Sequence, residues 1–211
     1  MAIGHYDQDN DWWVCKHLKK AVEGPILSLS WHSSGLAIAV GTLKGNVHVV
    51  SAYLEGVDQH NAVPWLDEAT ARSWDVECFT VQVGRWIHAV AWSPSGNALA
   101  WTNADAITTI YYPGSGYQSS VEHLTDGVPI PFKRLMFLGE SSLVAVGHSS
   151  VPVVLSGMDG KPWKVQAELN NANTASGSVT ASGSKQSDTA KAFGGAFAKF
   201  KMMDQQGLSN G

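Results

Sequence analysis

The histidines are the first side chains to test for chemistry, because an imidazole can ligate a metal, shuttle a proton or activate a hydroxyl. Eight are scattered along the chain. His32, His48 and His88 fall on strand-like segments with no second ligand at a useful spacing, which favours satisfied or surface histidines over a metal site. His88 lies near Ser93, the pair an acyl-transfer enzyme needs, yet no third side chain is placed to orient the imidazole. Gly114-Ser115-Gly116 lacks the Lys-Ser/Thr and helix pattern that follow a phosphate loop, so it reads as a turn. Cys15 and Cys78 show no paired-cysteine spacing and are expected to be buried, reduced thiols. Asp7, Asp9 and Asp11 crowd one turn, either as a solvated tip or as the border of a contact with another protein. No catalytic residue, cofactor or metal is expected.

The bulk properties narrow the partners. With 14 basic and 18 acidic residues among 211, the net charge is −4. No basic stripe follows that would track a nucleic-acid backbone. No apolar run is long enough to span a bilayer, and no secretory signal precedes the cysteines, so a cytoplasmic chain with no nucleic-acid partner and no membrane span is expected.

What positions these side chains is a repeat. Ile87-His-Ala-Val-Ala-Trp-Ser-Pro-Ser-Gly-Asn-Ala-Leu-Ala-Trp101 alternates in period two, turns through Ser93 to Asn97, and alternates again, as a β-hairpin does. Ile26 to Gly41 repeats it with Trp31 and Gly35 in the places of Trp92 and Gly96. Arg134 to Gly147 repeats it once more with Phe137 in the Trp place. The aromatic positions are 61 and 45 residues apart, against about 40–45 for a propeller blade, so the wider gap holds an insertion, assigned to the polar stretch from Leu54 to Ser73. Each hairpin extends to four strands: Ile26–His32, Leu36–Thr42, Asn46–Tyr53 and Val76–Val83 in the first repeat. The second runs from Ile87 to Tyr112 with a last strand at Tyr117–Leu124. The third begins near Phe132, with later strands at Val151–Ser156 and Trp163–Leu169. Ahead of them, Gly4 to Leu18 reads as two strands around the Asp7–Asp11 turn, half a blade. The fold class is therefore all-β, a partial β-propeller over residues 1–169.

Beyond residue 169 the character changes. Residues 170–189 are mostly Asn, Ala, Thr, Ser and Gly, too poor in apolar side chains to offset ordering entropy, and read as a low-complexity linker. Residues 190–211 form the last segment. In it Phe193, Phe197 and Phe200 recur at i, i+4 and i+7, one stripe of a short amphipathic helix, with Lys199 and Lys201 beside them. Gly194 and Gly195 cost roughly 1 kcal/mol each in a helix interior, so the segment alone should be mostly unfolded. The stripe fits either docking on another protein or folding back on the propeller.

Several motifs in order, Asn10-Asp-Trp-Trp-Val14 with Lys16-His17 and Lys19-Lys20, Leu27-Ser-Leu-Ser-Trp-His32, Ser51-Ala-Tyr53, Trp86-Ile-His-Ala-Val90 and Ser142-Leu-Val-Ala-Val-Gly-His148, resemble the WD40-repeat 40 kDa subunit (subunit 1) family of the actin-related protein 2/3 complex. The resemblance runs from Tyr6 to about Leu169. It implies a seven-bladed WD40 propeller without catalysis, a structural and regulatory subunit supporting nucleation of branched actin filaments in the cytoplasm and cytoskeleton. Its implied partners are the actin-related proteins, the small subunits and the actin filament; the alternative is a WD40 scaffold of another assembly. In the family a short amphipathic helix projects ahead of the last blade towards actin, which makes Phe193, Phe197, Lys199, Phe200 and Lys201 the implied contact set, although the family's acidic residue and Arg pair have no counterpart here. Two departures stand out. Asp105 keeps the turn Asp usual to such blades, whereas Lys44 and Ser149 stand at the equivalent turns. Three and a half repeats also fall short of a ring, so the chain is expected to be a fragment lacking roughly the first three blades and the last, with exposed strand edges as an aggregation hazard.

Overall fold

Alternation with a period of two makes strands here, and the Gly-containing turns pair them. In the computed structural model, which describes residues 1–59, 63–125, 127–148 and 151–169, β1 (Ala2–Asp7) and β2 (Trp12–His17) form an antiparallel ribbon. A first four-stranded sheet follows in the order β3 (Ile26–Trp31), β4 (Ala37–Thr42), β5 (Asn46–Ser51) and β6 (Glu77–Gln82), with a short helix α1 (Glu68–Ala71) between its last two strands. The second sheet is β7 (Ile87–Trp92), β8 (Leu99–Asn103), β9 (Ile107–Tyr112) and β10 (Tyr117–Glu122). A two-residue hairpin, β11 (Leu124–Thr125) with β12 (Val128–Pro129), leads to the third sheet, β13 (Phe132–Gly139), β14 (Ser142–Gly147), β15 (Val153–Met158) and β16 (Lys161–Glu168). Within each four-stranded sheet the strands are antiparallel and laid down in chain order. This is the meander of propeller blades, and the architecture is a partial β-propeller.

The sheets pack face to face, because each is apolar on both sides and too small to bury either alone. Ala37, Ala39, Val47 and Val49 of the first sheet meet Val90, Trp92, Leu99 and Trp101 of the second in one core cluster. Ala98, Ala100 and Ile110 on the opposite side of the second sheet meet Leu143, Ala145, Leu155 and Trp163 of the third. Small alanines on one side receive large side chains on the other, so the two faces interdigitate. Gly41 serves the same end: a Cβ there would lie 2.5 Å from Cγ2 of Ile87, so only glycine lets the first sheet approach the second. The ribbon covers part of the first sheet's other face, packing Ile3 and Leu18 on Ile38, Val40 and Val50.

Strands β3, β7 and β13 are the inner strands. β3 and β13 both pack beside β7, and together they line a trough of about 600 Å3. β7 has an open edge towards β3, and hydroxyls close it: Val90 N–H donates to Ser28 Oγ and Trp92 N–H to Ser30 Oγ, each at 3.1 Å.

Side-chain ties join neighbouring turns. Glu140 accepts from the backbone and the hydroxyl of Ser95, both at 2.7 Å. Ser115 Oγ donates to Asp159 at 2.7 Å, and Arg85 pairs with Asp105 at 2.9 Å. Asp75, held at φ 58°, accepts the N–H groups of Lys19, Lys20 and Ala21 at 2.8–3.1 Å. Burial would raise its pKa, but these three donors outweigh that and hold the carboxyl below the usual range. One carboxylate thus reinforces the link from ribbon to first sheet, beside the packing of Ile3 and Leu18 and the Trp74 indole N–H donated to His17 O at 3.3 Å.

The Leu54–Ser73 insertion is not merely polar. Leu54, Val63 and Ala71 are buried, and Asp67 caps α1 by accepting from Thr70 N–H. Trp65 stacks on Trp92 with ring centroids 5.5 Å apart and planes 13° from parallel. Its indole N–H donates to Gly96 O at 3.1 Å.

Candidate protein-interaction surfaces

Of the side chains that could have done chemistry, His32 and His48 are buried and hydrogen-bonded within and between the sheets. His32, one residue past β3, is buried between Trp92 and Trp65, edge-on to both at 4.9 and 5.5 Å. Its Nε2 lies 3.0 Å from the carbonyl of Gly96, which can only accept, so Nε2 carries the proton. Nδ1 then accepts from Ser34 N–H at 3.1 Å. Burial pushes the His32 pKa down, with the Gly96 carbonyl opposing. His32 is therefore a neutral bracket between two turns. His48 is buried, with Nδ1 2.8 Å from Thr80 Oγ1 and 3.3 Å from Glu77.

His88 contacts Lys133 Nζ at 3.4 Å. Its pKa is lowered by partial burial, then by Lys133 and His148. Ser93 is buried and its hydroxyl serves its own turn, accepting from Ala98 N–H at 3.2 Å, so the geometry supports no His–Ser catalytic pair. Burial, Asp67 and Glu77 push the Cys78 thiol up to about 12, which leaves it protonated and unreactive at neutral pH. Cys15 departs from expectation: it is exposed, not buried. It sits on the ribbon face that also carries Tyr6 and Trp13, and among the described residues no sheet covers that face. Among the described residues no group of three His, Cys, Asp or Glu could hold a metal ion.

What the molecule offers instead is uncovered apolar surface at the two ends of the stack. On β3, Leu29 is 51% and Trp31 45% exposed. The ribbon side reaches the face of β4 and β5 and Ile26 at the start of β3, but leaves Leu29 and Trp31 exposed. At the other end, Met136 is 59% exposed, with Leu138 and Val146 also exposed beside it on the third sheet's far face. The ribbon tip adds Trp12 and Trp13, 62% and 70% exposed, next to a turn in which Asp7 accepts from Asn10 and Asp9 and Tyr6 donates to Asp11. Exposed patches of this kind are where folded β-proteins take partners.

The residues singled out for contact in the sequence, Phe193, Phe197, Lys199, Phe200 and Lys201, lie outside the described residues, as do the 170–189 segment and the rest of 190–211. The uncovered face of β3 was not singled out. Its signal was present, since Leu27, Leu29 and Trp31 alternate with Ser28 and Ser30, but only the packing shows which set is left bare.

No protein-family model matches the chain, whereas curated proteins do. The actin-related protein 2/3 complex subunit 1 of Schizosaccharomyces pombe is 33% identical over 215 residues, covering 99% of this chain and 56% of that protein. Subunit 1A-B of Xenopus laevis is 33% identical over 157 residues, covering 74% of this chain and 42% of that protein. Subunit 1 of Saccharomyces cerevisiae is 30% identical over 221 residues, 98% of this chain and 54% of that protein. The chain spans about half the length of the curated relatives it matches. On these matches, which cover 74–99% of the chain, the chain belongs to the family of actin-related protein 2/3 complex subunit 1.

Proposed function

We propose that the chain is a structural subunit of an actin-related protein 2/3 complex and supports nucleation of branched actin filaments from the cytoplasmic cytoskeleton. The observation that carries this reading is the match to subunit 1 of that complex along 99% of the chain in Schizosaccharomyces pombe. The geometry suits a scaffold. His32 is spent on a hydrogen bond between sheets, His48 and Ser93 on bonds within their own sheets, and the sheets hold apolar surfaces in fixed relation. On this reading the propeller sheets bind the actin-related proteins and the small subunits, and Phe193, Phe197, Lys199, Phe200 and Lys201 touch the actin filament. No catalytic step is called for.

Affinity purification of the tagged chain from its own cells tests the first part. Both actin-related proteins should co-purify with it in stoichiometric amounts, and their absence would remove the assignment. Replacing Phe197 and Phe200 with Ala tests the second. Filament branching should fall while complex assembly stays intact, and unchanged branching would end the claim for the tail.

A further inference from the structure

We propose that His88, Lys133 and His148, where the inner strands of the second and third sheets begin, form a binding site for a phosphate group, free or as a phosphomonoester. Three elements converge there. His88 is the bulged residue of β7, where the ladder slips between Ile87 and Ala89. Lys133 is the bulged residue of β13, where it slips between Phe132 and Arg134. A bulge re-aims the side chain it frees from the ladder, and on these two strands, packed side by side, the freed side chains meet. His148 follows Gly147, which pairs with Phe132. A Cβ on Gly147 would lie 2.6 Å from Pro131 O, so only glycine brings the end of β14 this close to the start of β13.

The Lys133 ammonium does not sit on a lone pair of His88. Its Nζ lies 3.4 Å from Nδ1 and 3.5 Å from Nε2. Lone pairs of imidazole nitrogens lie in the ring plane, and a point almost equally far from both nitrogens at that range lies over the ring face. The ammonium donors therefore find no acceptor on the ring, and both ring nitrogens stay available. The charges that act on His88 are both positive, those of Lys133 and His148. Arg134 adds a further guanidinium, folded back onto Lys133 O at 2.8 Å. At the same end of the first two sheets the cations are neutralised, Lys44 by Glu23 at 3.0 Å and Arg85 by Asp105 at 2.9 Å. Among the described residues no carboxylate does this for Lys133. Cations held together without a counter-charge repel, and an anion between them relieves that repulsion. Lys133 supplies a permanent charge, and the two imidazoles supply N–H donors that become stronger on protonation. Donors arriving from three elements suit a tetrahedral dianion better than a flat carboxylate. The site is open to solvent, since His88 and Lys133 are half-buried and His148 is exposed.

The probe is inorganic phosphate titrated into the full chain near the ordinary imidazole pKa, with sodium chloride of matched ionic strength as control. NMR follows the ring C–H signals of His88 and His148. Both should shift saturably with phosphate and not with chloride. The His88 titration should move upward in phosphate, because a bound anion favours the charged imidazole. Lys133→Gln should weaken binding about tenfold, the worth of one charge-assisted hydrogen bond, and Lys133→Arg should restore most of it. His148→Gln should weaken it severalfold. A thermal melt shows whether each variant folds, and if Lys133→Gln does not, the exposed His148→Gln decides. Glycerol 3-phosphate separates the sources: tighter binding than inorganic phosphate assigns a phosphomonoester, equal binding the free ion. An equal response to chloride, an unmoved His88 titration or unchanged affinity in the folded variants overturns the proposal. Succinate binding more tightly than phosphate overturns the ligand class.

Discussion

Trp31 and Trp92 hold the same place in consecutive sheets, each at the end of an inner strand and just ahead of a Gly-containing turn, yet one is 45% exposed and the other 7%. Their strands and turns match in register: Trp31 faces Ile38 and Trp92 faces Leu99 across their hairpins. The difference lies wholly in the neighbour. Trp92 is enclosed by the first sheet, by His32 and by Trp65, while nothing described stands beyond Trp31. A blade's sequence specifies its own hairpin, but its stability is lent by the sheet before it.

The largest test of this contrast is truncation of the two tryptophans. Trp92→Ala should cost about 3–5 kcal/mol in urea unfolding, a buried aromatic lost with a cavity left behind. Trp31→Ala should fall within about 0.5 kcal/mol, as surface changes do. Equal losses would mean that Trp31 is covered in solution.

The two turn glycines form a second matched pair. Gly35 at φ 75° and Gly96 at φ 76° share a left-handed backbone. A Cβ at Gly35 meets nothing within 4 Å, whereas at Gly96 it runs into the His32 ring. Gly35→Ala should therefore cost about 1 kcal/mol from the backbone alone. Gly96→Ala should cost roughly 2 kcal/mol more from overpacking, read in the same denaturation series.

The hydroxyls that close β7 come next. Ser28→Ala or Ser30→Ala leaves a covered N–H without its acceptor and should lose about 1–3 kcal/mol. Hydrogen exchange should quicken at Val90 or Trp92 respectively. A loss near zero would show that water enters the junction between the first two sheets.

The smallest effect expected is that of pH. The folded pKa of His32 is lowered from 6.5 by burial, so the folded state holds its proton less tightly than the unfolded chain does. Its contribution is present above the ordinary imidazole pKa and is lost as pH falls below it towards the folded value. His88 shifts in the same direction. The thermal midpoint should thus drop between about pH 7.5 and 5.5, and His32→Gln should flatten that drop in part. An unchanged slope would place His32 outside the titration.

Much of the stack was legible in the chain because period-two alternation and turn residues are local signals. The ribbon, the three inner hairpins and the outer strands fall within a residue or two of the expected bounds, as with β6 at Glu77–Gln82 and β13 at Phe132–Gly139. What was not legible depends on contacts across sheets. Trp65 sits in a stretch that reads as polar spacer, and its stacking on Trp92 spans 27 positions. Ser28 and Ser30 look like the solvent side of a half-buried strand, when they are acceptors for the next sheet. Residue type alone places Cys15 inside, but among the described residues the ribbon has one covered face, and Cys15 lies on the other. β11 and β12 are too short for any periodicity to register.

The ties between the second and third sheets sit at two radii. Ser95 with Glu140 fastens the turns next to the inner strands, and Ser115 with Asp159 fastens those of the outer pairs. At that outer radius Trp163 also donates its backbone N–H to Ser119 and its indole N–H to Tyr112. A door bolted both at the hinge and at the handle cannot swing. Force applied at the rim of this junction must shear several bonds at once, so the pair of sheets carries load as one rigid wedge rather than as two leaves.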